Sequence, residues 1–345
     1  MLLKSSLAGL GLAMSIVTVA QAAEQIRIVG SSTVYPFSTT VAERFGRSTP
    51  YATPIVESTG TGGGMKLFCT STDVSTPQIT NASRRIKKSE IALCVNHGID
   101  GITEVKVGYD GIVIANSIEA EQLKISRKEI FLALAKELPN GNGGWVKNMN
   151  TTWKDVADHL PDLRIEVLGP PPTSGTRDAF VELGMEAGCK KFPGAKELKK
   201  ANKKLFRAKC HAIREDGHFI IAGENDNLIV QKLKANKNAF GIFGFSFLDQ
   251  NVDVIQGSIV EGTYPEYDAI SDGSYPISRS LYFYVKTAAA KANPAIPAFI
   301  AEFTSDAAWG PDGYLADKGM IAMPEKERNE WHSKTSALEE IGAIN

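Results

Sequence analysis

Apolar and polar positions along the chain alternate between short strands and amphipathic helices. A β-branched run at residues 25–29 is followed by helical spacing over 34–45, and a second strand at 53–57 runs into a glycine-rich loop and another helical segment. A third strand at 164–168 leads through a small-residue loop into a helix over 177–186. This repeated order of strand, loop and helix predicts an α/β protein with a mostly parallel sheet.

Longer elements follow the same alternation. Residues 104–116 and 280–285 have the pattern of strongly apolar strands, and residues 127–137 and 297–303 have helical spacing. The chain has 345 residues, whereas single hydrophobic cores stop growing at roughly 250–300 residues. Because no low-complexity linker divides the chain, we expect two domains between which it crosses more than once.

The first 22 residues have the pattern of a secretory signal peptide. Lys4 precedes an apolar run over residues 7–20, and Ala20 and Ala22 flank Gln21 in a small-residue cleavage pattern. The run is shorter than the roughly 20 apolar residues that a membrane span needs. We therefore expect cleavage after Ala22 and an exported, soluble mature protein.

Four cysteines, Cys69, Cys94, Cys189 and Cys210, form two local pairs along the sequence. None has C-x-x-C spacing, which argues against a zinc site. Of the three pairings that remain open, proximity favours Cys69–Cys94 and Cys189–Cys210, and each bond would stabilise the fold by about 3 kcal/mol. Four buried free thiols are the alternative, which an oxidising compartment disfavours.

Charge and motifs exclude several classes of function. The formal net charge is −1, from 38 basic and 39 acidic residues, whereas nucleic-acid binders usually have a clear basic excess. The chain has no G-x-x-x-x-G-K-[ST], G-x-S-x-G or H-E-x-x-H motif, the glycines at 60–64 do not complete G-x-G-x-x-G, and the five histidines have no ligand spacing. We therefore expect no nucleic-acid partner, no cofactor, no metal and no enzymatic activity.

Small polar residues open three of the predicted helices, at residues 30–33, 60–63 and 174–176. Free backbone amides and the helix dipole at such N-termini bind anions, hydroxyls add donors, and glycine allows close approach. Residues 81–85 add two arginines. Each loop alone is more often an ordinary helix cap, but three together predict an exported anion-binding protein. The lysine-rich segment 190–209 is interpreted as a solvated helix face rather than a binding patch.

Several of these segments together resemble one known family. The matching segments are IVGSSTVYPF (28–37), ESTGTGGGMKLFC (57–69), NASRRIK (81–87), YDGIVIAN (109–116), SGTRD (174–178), IREDG (213–217), GENDN (223–227) and GIFGFSFL (241–248). In this combination the chain is similar to the phosphate-binding proteins of bacterial phosphate ABC transporters, in the periplasmic binding protein type II superfamily.

The resemblance implies a two-lobed periplasmic binding protein type II fold, in which each α/β lobe has a mixed or mostly parallel sheet flanked by helices. Lobe one would comprise residues 23–110 and 280–345, and lobe two residues 111–279. The strands at 109–116 and 280–285 would be the two crossovers. It also implies a monomeric periplasmic receptor that captures inorganic phosphate and delivers it to an inner-membrane ABC permease.

The resemblance implies nine phosphate ligands in this chain, among which Arg84 and Arg177 are added for their charge rather than carried over from the family's motif. They are Ser32, Thr33, Val34, Thr61, Arg84, Ser174, Gly175, Thr176 and Arg177. Two positions depart from the best-known form of the family, since Arg84 stands where that form has an acidic residue and Pro170 where it has an arginine. The resemblance therefore implies that a positive charge has moved from one lobe to the other.

The departure at Arg84 bears on selectivity. An ionised carboxylate can only accept hydrogen bonds, so it suits the proton of monohydrogen phosphate and repels sulfate, which has none. With arginine in that place another acceptor is needed, and Asp110, Asp178 and Asp226 are the candidates. Sulfate, arsenate or a phosphonate remain alternative ligands. A secreted phosphatase and an adhesin-like surface protein are the alternative classes, although the sequence offers neither a catalytic cluster nor an extra domain.

Overall fold

The computed structural model of the chain describes residues 24–172, 174–223 and 226–341. The predicted signal peptide and its cleavage point after Ala22 lie outside these residues. Within them, no helix is long and apolar enough to cross a membrane.

Short strands make up most of the β-structure, and one strand is much longer than the rest. The strands of the described residues are β1 (Arg27–Gly30), β2 (Ile55–Ser58), β3 (Ile79–Ala82), β4 (Ile102–Ser117), β5 (Lys124–Ile125), β6 (Glu137–Pro139), β7 (Trp145–Lys147), β8 (Val167–Gly169), β9 (Phe219–Ile221), β10 (Phe240–Gly244), β11 (Ile255–Gly257), β12 (Ile259–Val260) and β13 (Ser278–Lys286).

Helices fill most of the connections between these strands. They are α1 (Tyr35–Ser48), α2 (Thr61–Phe68), α3 (Lys88–Val95), α4 (Arg127–Leu134), α5 (Trp153–Val156), α6 (Gly175–Phe180), α7 (Glu186–Cys189), α8 (Ala195–Ala201), α9 (Lys203–Cys210), α10 (Asp226–Ala235), α11 (Phe245–Asp249), α12 (Tyr267–Ser271), α13 (Thr287–Ala292), α14 (Ala295–Phe303), α15 (Asp306–Trp309) and α16 (Glu325–Ser336). A π-helical turn, Val181–Met185, joins α6 to α7, and a 3₁₀ turn covers Ala316–Lys318.

Two sheets share the long strand β4. The first sheet has the order β2-β1-β3-β13-β4, in which β1 is parallel to β2 and β3 and β13 is antiparallel to both of its neighbours. The second sheet has the order β4-β10-β8-β9, with β8 parallel to β9 and β10, and β11 also pairs with β4. The residues of β4 are almost continuously buried, as expected for a strand covered on both faces.

The predicted α/β architecture with mixed sheets flanked by helices is confirmed. Along β4, residues Ile102–Gly111 pair with β13, whereas Ile112–Ala115 pair with β10, so this strand passes from one sheet into the other. A large hydrophobic cluster draws residues from both sheets, and a smaller one surrounds Cys69 and Cys94. The lobe boundaries at residues 110–111 and 279–280 stay a prediction.

Some predicted elements differ in their ends. The helix expected over residues 127–137 ends at Leu134, because the chain turns into β6, which pairs with β7. The helix expected over 177–186 begins at Gly175 and is widened by the π-helical turn. The glycines at 62–64, expected in a loop, form the first turn of α2.

Gly30 and Gly64 allow a close approach between β1 and α2. A Cβ atom on Gly64 would lie 2.5 Å from the Cα atom of Gly30, which is closer than any side chain allows. Gly30 has φ +130°, and a Cβ there would lie 2.2 Å from the carbonyl oxygen of Asn81. The close packing brings the ends of β1, α2 and β3 together at one edge of the first sheet.

Both predicted disulfides are present. Cys69–Cys94 joins the end of α2 to α3, and Cys189–Cys210 joins α7 to the end of α9. All four cysteines are fully buried. The second bond therefore fixes both ends of the segment that contains α8 and α9.

Candidate functional site

A cavity of about 1150 Å³ lies between the ends of the first-sheet strands and the helices that follow β8. Of the predicted site residues, Ser32, Thr33, Thr61 and Arg84 line it. Val34, Ser174, Gly175, Thr176 and Arg177 do not, although Asp178 and Glu182 from the helical segment after Ser174 do. The structure thus brings together parts of the predicted anion loops at residues 30–33 and 60–63, the helical segment that follows the loop at 174–176, and the arginine-containing segment.

The loop between β1 and α1 presents unpaired backbone donors. The amide of Tyr35 bonds the carbonyl of Ser31 at 3.0 Å, which starts the helix. Among the described residues no acceptor meets the amides of Ser32, Thr33 and Val34. Buried amides without a partner are costly, so this loop is suited to receive an acceptor such as an oxyanion.

Arg279, which the sequence analysis missed, is the most buried cation of the cavity, with a side chain 8% exposed. Its Nη2 atom donates to Thr33 Oγ1 at 2.5 Å, Nη1 donates to Glu182 Oε2 at 2.9 Å, and Nε donates to Asp110 Oδ2 at 3.4 Å. It therefore connects β13 to the first anion loop and to the helical segment of the second sheet.

One long-range signal marks Arg279 in the sequence. It lies just before the strand predicted at 280–285, and Asp110 lies within the strand predicted at 104–116. In the structure these two residues are directly opposite each other in the β13–β4 register. An arginine and an aspartate on two apolar strands could have indicated a buried ion pair, but only once the pairing was known.

Asp110 carries the counter-charge of Arg279. Burial raises the pKa of the Asp110 carboxyl above its usual value, and the Arg279 guanidinium partly offsets this effect. Asp110 does not line the cavity itself but lies behind Arg279, which does. Asp110 therefore places a hydrogen-bond acceptor next to Arg279, which is the principal cation of the site.

The loop after β8 reaches across the cavity to the loop after β1. Ser174 caps α6 by accepting the Thr176 amide on its Oγ at 3.2 Å. A Cβ atom on Gly175 would lie 2.8 Å from the Ser32 carbonyl oxygen and 3.0 Å from Thr33 Cα. Glycine is thus the residue that lets the two backbones touch.

A side-chain contact accompanies this backbone contact. Ser32 Oγ donates to Asp178 Oδ2, so a hydroxyl of the first anion loop meets a carboxylate of α6. Together with the Arg279–Glu182 ion pair, it links β1 and β13 to the segment that follows β8. Each of these two contacts therefore joins a residue of the first-sheet side to a residue of the helical segment that follows β8 in the second sheet.

Arg177 points away from the cavity. Its Nη1 donates to the Pro170 carbonyl at 2.9 Å, and its guanidinium lies 4.5 Å from the centre of the Phe219 ring. Burial lowers the pKa of Arg177, with Asp178 opposing that effect. In this arrangement Arg177 braces the loop after β8, and its predicted role as a ligand stays a prediction.

The second anion loop, at residues 60–63, meets the arginine-containing segment. Gly60 has φ +70° at the start of α2, and Thr61 Oγ1 accepts the amide of Ser83 at 3.1 Å. The Thr61 and Ser83 hydroxyls are also 3.1 Å apart. These bonds place two hydroxyls side by side in the cavity lining.

Arg84 lines the cavity but is paired with a carboxylate. Its Nη2 and Nη1 atoms donate to Glu90 at 2.7 and 2.9 Å, an arrangement typical of strong bidentate pairs. The hydrogen bonds that Arg84 donates to Glu90 raise the pKa of Arg84. Arg84 together with the Lys87 amide holds the pKa of Glu90 below its usual value despite burial. The charge of Arg84 is thus largely neutralised within the site.

Two of the three candidate acceptors lie at the site. Asp178 lines the cavity, and Asp110 is paired with Arg279. Asp226, at the start of α10, accepts the Gly244 amide at 3.4 Å and is not among the lining residues. Over the part of the chain that the structure describes, no group of three or more His, Cys, Asp or Glu residues could hold a metal ion.

Comparison with known proteins shows which family this chain is similar to. The model of the PBP superfamily domain matches residues 17–307. The phosphate-binding protein PstS of Staphylococcus saprophyticus is 30% identical over 315 residues, covering 88% of this chain and 82% of the relative. Protein SphX of Synechococcus elongatus is 28% identical over 305 residues, covering 86% of this chain and 77% of SphX.

A solved structure agrees with these relatives. The crystal structure of a "possible phosphate binding protein" from Planctomyces limnophilus has a TM-score of 0.72 and 25% identity, and the match covers 92% of this chain and 99% of that protein. The chain therefore belongs to the PBP superfamily, in the family of the phosphate-binding protein PstS, as the sequence resemblance indicates.

Proposed function

We propose that this protein is a periplasmic receptor that captures inorganic phosphate in the cavity between its two sheets and releases it to an ABC permease without converting it. The observation that carries the proposal is the buried Arg279 beside Thr33 and the unpaired amides of the first anion loop. A buried cation, a hydroxyl and free amides at a helix N-terminus together complement a tetrahedral oxyanion.

The relatives favour phosphate over other oxyanions, since those matched over most of the chain include one named for phosphate binding. The site also offers acceptors for the proton of monohydrogen phosphate. Asp178 receives a hydrogen bond from Ser32 within the lining, and Asp110 lies behind Arg279. A fully ionised sulfate would face the Asp178 carboxylate without a proton to donate.

Phosphate would replace contacts that the protein now makes with itself. Arg279 donates to Glu182, whose side chain is half exposed, and this bond is the one most readily exchanged for a ligand oxygen. Thr61 and Ser83 would add hydroxyl donors, and Ser174, Gly175 and Thr176 would act through the amides at the start of α6. The roles of the nine predicted ligands remain proposals.

The proposal is tested by titrating the ligand-stripped protein with phosphate in a calorimeter, and then with sulfate at the same pH. We expect saturable phosphate binding and no heat from sulfate. Equal binding of both would instead indicate a general oxyanion receptor. Absence of binding with both would contradict the assignment, and turnover of a phosphomonoester would favour the phosphatase alternative.

Replacing Arg84 with alanine should weaken phosphate binding strongly. The change removes one cation from the cavity wall. It also leaves the Glu90 carboxylate, which is 16% exposed in the unmodified protein, without its partner. Since a charge-assisted contact is worth roughly 1.5–3 kcal/mol, we expect at least a tenfold loss of affinity by calorimetry.

The double variant Arg84→Ala/Glu90→Gln separates the two effects. If the loss of affinity in Arg84→Ala comes mainly from the unpaired Glu90 carboxylate, the double variant should recover most of the affinity. If Arg84 itself contacts phosphate, the double variant should remain weak. An affinity unchanged in both variants would show that neither residue acts on the ligand.

A further inference from the structure

The mouth of the cavity carries a set of cations that phosphate alone does not require. We call Lys66, Lys87, Lys203 and Arg207 the basic rim. All four are exposed and line the cavity that also contains Thr33 and Arg279. They come from both sides of the cavity, since Lys66 and Lys87 belong to the first-sheet side and Lys203 and Arg207 to α9.

None of these four side chains has a counter-ion among the residues that the structure describes, whereas other cations near the cavity do. Arg84 is paired with Glu90, and Lys199 and His211 contact Glu186 at 2.6 and 2.7 Å. Glu90 and Glu186 are thus already paired with other cations. The basic rim is left with uncompensated positive charge.

Three of the rim cations, Lys87, Lys203 and Arg207, are also close enough to oppose one another. Lys203 and Arg207 are four residues apart on α9 and therefore share a face of the helix, where like charges are unfavourable. The pKa of Lys203 is lowered by Arg207 first, then by burial, Lys199 and Lys87. Since Lys87 acts on Lys203 from the other side of the cavity, the rim surrounds a shared space.

The fold holds this arrangement in place. The disulfide Cys189–Cys210 fixes the end of α9 to α7, which continues the helical segment of Asp178 and Glu182. The lysine-rich segment is exposed, as the sequence analysis expected, but part of it faces the cavity rather than bulk solvent alone. The disulfide therefore holds α9, with Lys203 and Arg207, beside the cavity.

The dimensions and lining indicate which anion. The cavity volume, about 1150 Å³, exceeds the range of roughly 300–1,000 Å³ of pockets for drug-sized ligands and is far larger than one tetrahedral oxyanion needs. Among the lining residues in the described part of the chain, only Tyr282 and His211 carry rings, so little surface is available to stack a base. A ligand that is anionic along its length fits better than a nucleotide.

We propose that the basic rim is a second anion subsite, and that the cavity accepts a linear condensed phosphate. One terminal phosphoryl group would lie at Thr33 and Arg279, and the next groups would reach Lys87, Lys203 and Arg207. The inference rests on the proposed phosphate site and extends it to longer ligands.

The test compares tripolyphosphate with inorganic phosphate by calorimetry at one fixed ionic strength. The variant Lys203→Ser/Arg207→Ser removes the α9 half of the rim. The matched control Lys196→Ser/Lys200→Ser removes two charges from exposed positions of α8, in the same disulfide-closed segment but outside the cavity lining. All substituted side chains are exposed, so folding should be retained.

We expect tripolyphosphate to bind the unmodified protein and to bind the rim variant about tenfold or more weakly, with phosphate affinity changed by less than about twofold. The control should bind both ligands normally. Absence of tripolyphosphate binding, or equal losses for both ligands or in both variants, would overturn the subsite. Absence of phosphate binding with tripolyphosphate retained would instead remove the proposed function and leave the rim intact.

Discussion

Replacing Arg279 with methionine is expected to abolish tight phosphate binding and to destabilise the protein. The change removes the buried guanidinium that contacts Thr33 and leaves the Asp110 carboxylate without its partner. Loss of one member of a buried pair typically costs about 3–5 kcal/mol of unfolding free energy. Removing a desolvated cation from a charged ligand should cost about 2 kcal/mol or more, roughly 30-fold in affinity.

The double variant Asp110→Asn/Arg279→Met separates binding from stability. Neutralising Asp110 removes the uncompensated charge, so the free energy of unfolding in urea should return close to that of the unmodified protein. Phosphate affinity measured by calorimetry should stay low, since the cation is still absent. Recovery of affinity together with stability would show that Arg279 acts only through the fold, which would contradict its role as the principal cation.

Replacing Gly175 with alanine should weaken ligand binding by keeping the two anion loops apart. The added methyl group would lie 2.8 Å from the Ser32 carbonyl oxygen, and a backbone atom cannot move away as a side chain can. Overpacking of this kind costs about 1–3 kcal/mol, which corresponds to roughly 5- to 150-fold in affinity if the loops touch in the bound form.

Gly62→Ala is the matched control for this variant. Unlike Gly175, Gly62 lines the cavity, and a Cβ atom there has nothing within 4 Å. We therefore expect its phosphate affinity to remain close to that of the unmodified protein, while Gly175→Ala falls. Equal affinities in the two variants would show that contact between the loops is not part of ligand capture.

The fold could be predicted because its main signals are local. The apolar strand at residues 104–116 and the small-residue loops before α1, α2 and α6 were visible as short patterns, and the structure forms each of them. Proximity along the sequence also sufficed for both disulfides. Helix ends were less predictable, since α4 stops at Leu134 where the β6–β7 pairing begins.

The site was predictable only in part because its main cation is non-local. Arg279 meets Thr33 across 246 positions of sequence, and no motif around Arg279 shows that contact. Arg84 was identified by resemblance, but its bidentate pairing with Glu90 depends on how the loop enters α3. Burial and ion pairing decide which charges a ligand meets. Because both arise from tertiary packing, short sequence patterns did not show them.

The position of β13 has a consequence for when the protein can fold. This strand lies between β3 and β4 in the first sheet, yet it begins only at Ser278. Until β13 has been synthesised, no strand can pair with β3 on one side and with β4 on the other. The pairing of segments that are distant in sequence is also slow. Synthesis of the first 277 residues therefore leaves this half of the molecule unfinished. Such late completion would delay the folding of a polypeptide that has to cross a membrane in the unfolded state.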